Sequence, residues 1–286
     1  MIGEVGTVST CSHLDLAAAL TAAGQRVDLL CVDAPYSART HAGHDDGAAA
    51  ANRFADYASR QAGKTGPRAH CAAYLTREGT PRRSLDYAAW GSADVDAFVA
   101  AWAPLTDGWL LSLTDHVLAP AWEAALQAVD RYVFAPLACV EMGSRVRMTG
   151  DGPSNWSVTL IASRPKSREF ASWGSLPGAY IVKPQVRTGR RDETASVVGG
   201  KALDLMRALV RDYSRPGALV CDPCAGAGTT LVAAKMSGRR FIGGDCDAAH
   251  VEIARKRLEE TVPCDARGTP IGGAKGKSEA FNWGDE

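Results

Sequence analysis

The C-terminal half of the chain alternates short apolar runs with amphipathic stretches, and this alternation constrains the fold more than any other feature. The pattern predicts helices and strands in turn over residues 201–212, 218–221, 229–237, 240–243 and 248–260. Strands that alternate with helices of about 10–15 residues are typical of a parallel, doubly wound sheet. We therefore expect an α/β fold.

The N-terminal half continues this pattern less regularly. The apolar run 26–32 predicts a buried parallel strand that ends at the tetrapeptide Asp33-Ala34-Pro35-Tyr36. Residues 37–88 are polar and weakly periodic, so we expect a long, mobile loop region there. From residue 263 the composition turns to Gly, Lys, Asp and Ser, which predicts a disordered tail over 263–286. Further helices are expected over 94–103 and 121–129, and further strands over 108–113, 132–140 and 156–162, the last of them antiparallel.

Composition excludes several classes of protein. The 286 residues include 32 Lys plus Arg and 32 Asp plus Glu, so any positive charge that binds nucleic acid must be local. No apolar run reaches the roughly 18 residues of a membrane span, and the first residues do not read as a secretory signal. The eight cysteines are scattered, and the pair Cys221 and Cys224 has no second pair at zinc-ligand spacing. We expect a reduced, cytoplasmic protein without a metal site.

A glycine-rich loop between a predicted strand and a predicted helix carries the clearest chemical signal. It reads Asp222-Pro-Cys-Ala-Gly-Ala-Gly-Thr-Thr230. Glycines there allow a sharp turn and close approach of a ligand to the backbone, with a helix N-terminus behind. Asp245 ends the next predicted strand, where the ribose hydroxyls of nucleoside cofactors are bound. The loop lacks the fingerprints of dinucleotide and nucleoside triphosphate sites, so neither of those ligands is favoured.

Four motifs follow one another along the chain: the tetrapeptide, a basic stretch, the segment that Lys201 opens and the glycine-rich loop. Together, and in this order, they resemble the beta group of S-adenosylmethionine-dependent DNA amino-methyltransferases. The glycine-rich loop resembles the cofactor loop of that family, and Asp33-Ala34-Pro35-Tyr36 is similar to its catalytic tetrapeptide, usually Asp/Asn/Ser-Pro-Pro-Tyr/Phe. Lys201 opens a segment that looks like the helix completing the cofactor site, and a basic stretch lies between tetrapeptide and loop. The resemblance covers about residues 5–262.

This resemblance implies a fold and a set of site residues. It implies a methyltransferase domain over 1–262 with a doubly wound, mostly parallel, seven-stranded Rossmann-like sheet that is circularly permuted. Asp33 and the carbonyl of Ala34 would accept hydrogen bonds from an amino group, and Tyr36 would stack on a base rotated out of the helix. The implied catalytic residues are Asp33, Ala34, Pro35 and Tyr36. The residues implied to bind S-adenosylmethionine are Lys201, Asp222, Pro223, Cys224, Ala225, Gly226, Gly228, Thr229 and Asp245.

The segment 164–195 is the candidate for DNA recognition. Residues 164–191 contain seven Lys or Arg and a single acid, Glu169, with Phe170, Trp173 and Tyr180 interleaved. Such side chains neutralise phosphates, and a few Arg can reach base edges. A solvated surface is the alternative for a charge run. The residues expected to contact DNA are Arg164, Lys166, Arg168, Arg187, Arg190 and Arg191.

The leading hypothesis is methylation of an exocyclic amino group in double-stranded DNA by base flipping. The resemblance implies that Asp, rather than Ser, at position 33 favours the N6 of adenine over the N4 of cytosine. RNA or protein methylation is less favoured, because in the related enzymes that catalyse it the cofactor loop usually precedes the catalytic tetrapeptide in the sequence. A methyltransferase-like DNA-binding protein without activity is the third hypothesis, since Ala34, Cys224 and Ala202 depart from the family pattern. A homodimer is left open.

Overall fold

A computed structural model describes residues 2–42, 87–142, 156–182 and 200–265. The helices are α1 (His13–Ala22), α2 (Ser92–Trp102), α3 (Ala119–Ala128), α4 (Arg168–Ala171), α5 (Leu203–Tyr213), α6 (Thr229–Met236) and α7 (Ala248–Glu260). The strands are β1 (Val8–Thr10), β2 (Val27–Asp33), β3 (Thr106–Thr114), β4 (Tyr132–Val133), β5 (Leu137–Glu141), β6 (Trp156–Arg164), β7 (Ala179–Val182), β8 (Leu219–Asp222) and β9 (Arg240–Asp245). Most of the predicted loop region 37–88 and of the predicted tail 263–286 lies outside the described residues.

These strands form one sheet in the order β1-β9-β8-β2-β3-β6-β5-β7, with β4 paired to β6. Among the described strands, β6 runs antiparallel to β3, β4 and β5, and the other pairings are parallel. The predicted α/β fold with a mostly parallel sheet is confirmed. Within the described residues the sheet has nine strands, whereas seven were expected. The predicted strand 132–140 is divided into β4 and β5, and the short strands β1 and β7 lie in segments where no strand was predicted.

Helices cover both faces of the sheet. One face is packed by α5, α6 and α7, whose Leu209, Leu231 and Val251 are fully buried. The other face is packed by α1, α2 and α3, where Trp102 and Trp122 are fully buried. Both layers bury apolar helix faces against the apolar strands, which is the doubly wound arrangement that the alternation predicts. No helix within the described ranges is long and apolar enough to cross a membrane.

Strand β2 lies beside β8 although the two are far apart in the sequence. Leu29 pairs with Val220, and Leu30 pairs with Cys221. Because β2, β8 and β9 are parallel, their carboxyl ends meet at one edge of the sheet, where ligands of open α/β sheets bind. Asp33, Asp222 and Asp245 therefore come to the same edge. We call this the carboxyl edge.

Several of the described segments also end or begin at the carboxyl edge. Strands β5 and β7 run parallel to β3, so the chain leaves the sheet after Glu141 and Val182 at this edge. Strand β6 is antiparallel, so its first residue, Trp156, lies there as well. Gly200, where the chain is described again, lines a cavity at this edge.

Candidate active site

A cavity of about 330 Å³ lies at the carboxyl edge. It is lined by the whole tetrapeptide from β2 and by the glycine-rich loop between β8 and α6, so residues distant in the sequence share one space. Every residue that the sequence analysis assigned to catalysis or to the cofactor lines it, apart from Gly228. The predicted residues at the wall are Asp33, Ala34, Pro35, Tyr36, Lys201, Asp222, Pro223, Cys224, Ala225, Gly226, Thr229 and Asp245.

Gly228 acts behind the cavity wall, where it allows α6 to start. It is the N-cap of α6 and has φ 74°, a left-handed conformation that favours glycine. A Cβ at this position would lie 2.8 Å from the Cβ of Ala254 in α7. Gly228 therefore packs α6 against α7, and its predicted role in cofactor binding stays a prediction.

The glycine-rich loop is tied to the end of β9. The N–H of Gly226 donates to Oδ2 of Asp245 at 2.8 Å, and the N–H of Ala225 donates to the carbonyl of Gly244 at 2.9 Å. Oδ1 of Asp245 accepts from the N–H of Asp247 at 2.9 Å. Asp245 therefore holds the loop and the start of α7 in place, in addition to facing the cavity.

Asp222 is the most deeply buried carboxyl group of the site, with 2% of the residue exposed. It accepts hydrogen bonds from the N–H of Cys224, at 3.1 Å, and from Thr230. Burial raises the pKa of Asp222 to about 7, and the nearby Asp33 and Asp245 carboxylates add to this rise. The two hydrogen bonds lower its pKa but do not compensate for the burial. Near neutral pH, Asp222 is therefore partly protonated.

Both carboxylate oxygens of Asp33 are engaged by neighbours. The hydroxyl of Tyr36 donates to Oδ1 at 2.9 Å, and the Nζ of Lys201 forms a hydrogen-bonded ion pair with Oδ2. Burial, followed by the charge of Asp33, raises the pKa of Tyr36 well above its ordinary value, so the hydroxyl stays a donor. Asp33 therefore faces the cavity in a fixed orientation.

Asp115 anchors the chain that follows the tetrapeptide, a role that the sequence analysis missed. Its Oδ2 accepts from the N–H of Ser37 at 3.0 Å and from the hydroxyls of Ser37 and Thr40 at 2.5 Å. Burial favours the protonated form, but the hydrogen bonds from Ser37 and Thr40 outweigh it and lower the pKa of Asp115. Asp115 follows β3, the neighbour of β2, so the clue in the sequence was a carboxylate just after an adjacent strand.

An aromatic wall completes the cavity, and its members were also missed. His13, Tyr87 and Trp90 line it, and the Trp90 ring lies 5.7 Å from the His13 ring and 5.6 Å from the Phe98 ring between centroids. The backbone N–H of Trp90 donates to the Tyr36 carbonyl at 3.0 Å. Burial, with the charges of Asp33 and Asp245, raises the pKa of Tyr87 to about 12. Tyr87 therefore lies close to the two motifs that the cavity brings together.

The basic segment is placed differently from the sequence-based prediction. Ser163 is opposite Leu110 in the pairing of β6 with β3, so Arg164 ends β6 at the edge opposite the cavity. Its guanidinium lies 4.5 Å from the ring centroid of Tyr132, and Lys166 forms an ion pair with Asp130 after α3. Both residues therefore lie away from the cavity, and the expectation that Arg164 and Lys166 contact DNA stays a prediction. Arg168 begins α4 just beyond them, and Arg187, Arg190 and Arg191 lie outside the described residues.

The interleaved aromatic residues of this segment pack in or against the core. The rings of Phe170 and Trp173 are stacked on each other with centroids 5.5 Å apart, and both make edge contacts with Trp109. Tyr180 is buried, and its hydroxyl donates to the Asp212 carboxylate at 2.8 Å. These contacts hold α4 and β7 against the core.

Comparison with known proteins identifies related chains. A family model described as DNA methylase matches residues 188–256. The Type II methyltransferase M2.DpnII of Streptococcus pneumoniae is 46% identical over 55 residues, 19% of this chain and 20% of that protein. DNA adenine methyltransferase YhdJ of Escherichia coli (strain K12) is 33% identical over 100 residues, 35% of this chain and 34% of that protein. These alignments thus span between a fifth and about a third of the relatives' length.

Solved structures extend the likeness of fold over most of the chain. The complex of M1.HpyAVI with SAM has a TM-score of 0.57 at 16% identity, covering 88% of this chain and 98% of that one. The cytosine-N4-specific PvuII DNA methyltransferase has a TM-score of 0.51 at 13% identity, covering 90% of each chain. The fold is that of the DNA methyltransferases. With the match of the DNA methylase family model, these findings confirm the predicted resemblance to DNA amino-methyltransferases of the beta group.

Proposed function

We propose that this chain transfers a methyl group from S-adenosylmethionine to an exocyclic amino group of a DNA base, and that the base is adenine, methylated at N6. The observation that carries the proposal is the shared cavity. The Asp33 tetrapeptide and the glycine-rich loop with Asp245 line one space of about 330 Å³. A methyl donor and a methyl acceptor must meet in such a space for direct transfer.

The cofactor half of the cavity suits a nucleoside with a charged tail. Gly226 has φ 51°, and a Cβ built there would meet nothing within 4 Å, so the loop leaves open space beside its backbone. The Asp245 carboxylate at the end of β9 is the acceptor for ribose hydroxyls, and the start of α6 at Thr229 gives a helix N-terminus for a carboxylate. S-Adenosylmethionine supplies an electrophilic methyl group on a sulfonium. The residues that would hold it are Asp222, Ala225, Gly226, Thr229 and Asp245.

The catalytic half of the cavity suits an amino group that is a poor nucleophile. The lone pair of an exocyclic amino group is delocalised into the base, so acceptors that hold its hydrogens favour a more nucleophilic nitrogen. Asp33 keeps acceptor capacity beyond its bonds to Tyr36 and Lys201, because a carboxylate has about four lone-pair sites. The work of the chain is positioning and hydrogen bonding, with no covalent intermediate.

Double-stranded DNA is the proposed partner, with the target base rotated into the cavity. The described chain ends at Val182 and begins again at Gly200, and both residues lie at the carboxyl edge. Arg187, Arg190 and Arg191 come between these two residues in the sequence and lie outside the described residues. Phosphate contacts by these three residues are part of the proposal. A cytoplasmic location stays a prediction.

The experiment is methylation of plasmid DNA from a methylation-deficient host, followed by single-molecule sequencing. Methylated adenine at a recurring sequence supports the proposal in full. Methylated cytosine at N4 would keep the activity and overturn the choice of base. Absence of any methylated base, together with no S-adenosylmethionine binding by calorimetry, would favour the inactive DNA-binding protein that Ala34 and Cys224 motivate.

A further inference from the structure

We propose that Lys201 is a positioning residue for the catalytic carboxylate, in place of the cofactor-binding role that its motif predicts. The inference rests on the proposed function, because it assigns Lys201 the task of orienting Asp33, which acts on the methyl acceptor. It depends on the contacts of the Lys201 ammonium group, which the sequence does not reveal.

The ammonium group of Lys201 is buried against Asp33. The Lys201 side chain is 4% exposed, and the Asp33 side chain is 24% exposed. Nζ donates to Oδ2 of Asp33 and lies 5.2 Å from the centroid of the Tyr36 ring. A buried ammonium is costly unless a counter-charge accepts its hydrogen bonds, and Asp33 is that counter-charge.

The two bonds to Asp33 come from different parts of the chain. Tyr36 belongs to the same tetrapeptide and holds Oδ1, whereas Lys201 is 168 positions away and holds Oδ2. A carboxylate bound at one oxygen can still rotate about its side-chain torsions. Bound at both oxygens by rigid partners, it presents its remaining lone pairs in one direction.

The position of Lys201 is fixed by the helix that follows it. Ala202 is the N-cap of α5, and its carbonyl accepts from the N–H of Met206 at 3.2 Å. The face of α5 that meets the sheet buries Met206 and Leu209 almost completely. Lys201 therefore extends from the start of a helix that is packed on the sheet. The position of its ammonium group does not depend on the conformation of the loop that follows Tyr36.

This role and a cofactor-binding role predict different kinetic changes. A residue that binds S-adenosylmethionine changes its dissociation constant when replaced. A residue that orients Asp33 changes the turnover number at saturating cofactor and DNA and leaves that dissociation constant unchanged. Misplacement of a reacting group by about 1 Å can reduce a rate by about 100-fold.

The test compares Lys201→Met, Lys201→Arg and the control Arg26→Met. Arg26 forms an ion pair with Asp107 at the opposite edge of the sheet, with both side chains about half exposed, so the control also breaks a cation–aspartate pair. For each protein, calorimetry gives the Kd for S-adenosylmethionine, and saturated methylation of plasmid DNA gives kcat. Lys201→Gln replaces the Met variant if that variant does not fold, and the same outcomes apply.

We expect kcat of Lys201→Met to fall by about 10- to 100-fold, with the Kd within about twofold of the wild type. Lys201→Arg should recover most of the loss, and Arg26→Met should match the wild type. A weaker Kd with unchanged kcat would overturn the proposal in favour of cofactor binding, and no change in either would overturn it outright. A wild-type protein without methylation activity would overturn the proposed function, and this inference with it.

Discussion

Replacing Asp222 by asparagine should change how the free energy of unfolding depends on pH. Burial raises the pKa of Asp222 in the folded protein to about 7 from an ordinary value of 3.8. Between these values the folded protein retains a proton that the unfolded chain has lost. The stabilising effect of this proton is fully present below about pH 4 and is lost as the pH rises through 7.

The size of the effect follows from the two pKa values. The full difference corresponds to about 4 kcal/mol, of which about 2–3 kcal/mol is lost between pH 5 and pH 8. Asparagine at position 222 has no proton to lose, and its side-chain oxygen can still accept from the N–H of Cys224. The free energy of unfolding of Asp222→Asn minus that of the wild type should therefore be about 2–3 kcal/mol larger at pH 8 than at pH 5.

Urea unfolding of both proteins at pH 5, 6, 7 and 8 measures this difference. Asp28→Asn is the matched control, because Asp28 also accepts a backbone N–H, from Leu219 at 2.7 Å, but lies exposed. The control should follow the wild type at every pH. If the wild type and Asp222→Asn gave parallel curves within about 0.5 kcal/mol, the protonation of Asp222 in the folded protein would be refuted.

Three further predictions follow from the site and its surroundings. Asp245→Ala should weaken S-adenosylmethionine binding by about 1.5–3 kcal/mol, since a charged acceptor is lost and the loop it holds is released; unchanged affinity in calorimetry would exclude this role. Gly228→Ala should lower the free energy of unfolding by about 1–3 kcal/mol, because φ is 74° and the new Cβ would meet Ala254 at 2.8 Å; a thermal midpoint equal to the wild type would contradict this. DNA affinity measured against salt should lose about one unit of slope for each alanine replacement in a first set of residues and none in a second set, and equal slopes in both sets would argue against the assignment. The first set is Arg187, Arg190 and Arg191, and the second is Arg164 and Lys166.

The regular elements were predictable because their periodicity reflects burial on the sheet. The prediction of a helix over 248–260 agrees with α7, and that of a strand over 240–243 lies within β9. Strand β1 was missed because it has three residues, too few to show a period. Strand β7 was missed because the Gly and Pro residues before it suggested an irregular segment, although pairing with β5 holds it in the sheet.

The site was predictable as a set of residues but not as a set of contacts. The tetrapeptide and the loop were found because each follows a strand, and parallel strands end at one edge. The tertiary partners of each side chain depend on packing between distant segments, so the ion pair of Lys201 with Asp33 left no local signal. For Asp115 the sequence showed a carboxylate just after a strand but not its bonds to Ser37. The aromatic residues Phe170 and Trp173 were misinterpreted because composition alone does not show which side of a segment faces the core.

The central claim is that Asp33 and the glycine-rich loop form one site, with Asp33 acting on the methyl acceptor and the loop on the methyl donor. The most direct measurement compares the wild type with Asp33→Ala for plasmid methylation with labelled S-adenosylmethionine and for cofactor affinity by calorimetry. A thermal melt of the variant is included, because this change leaves the buried ammonium of Lys201 without the Asp33 carboxylate. The account predicts that the variant folds and binds the cofactor. Its transition-state stabilisation for methyl transfer should fall by about 3 kcal/mol or more. A variant with near-wild-type turnover would contradict it.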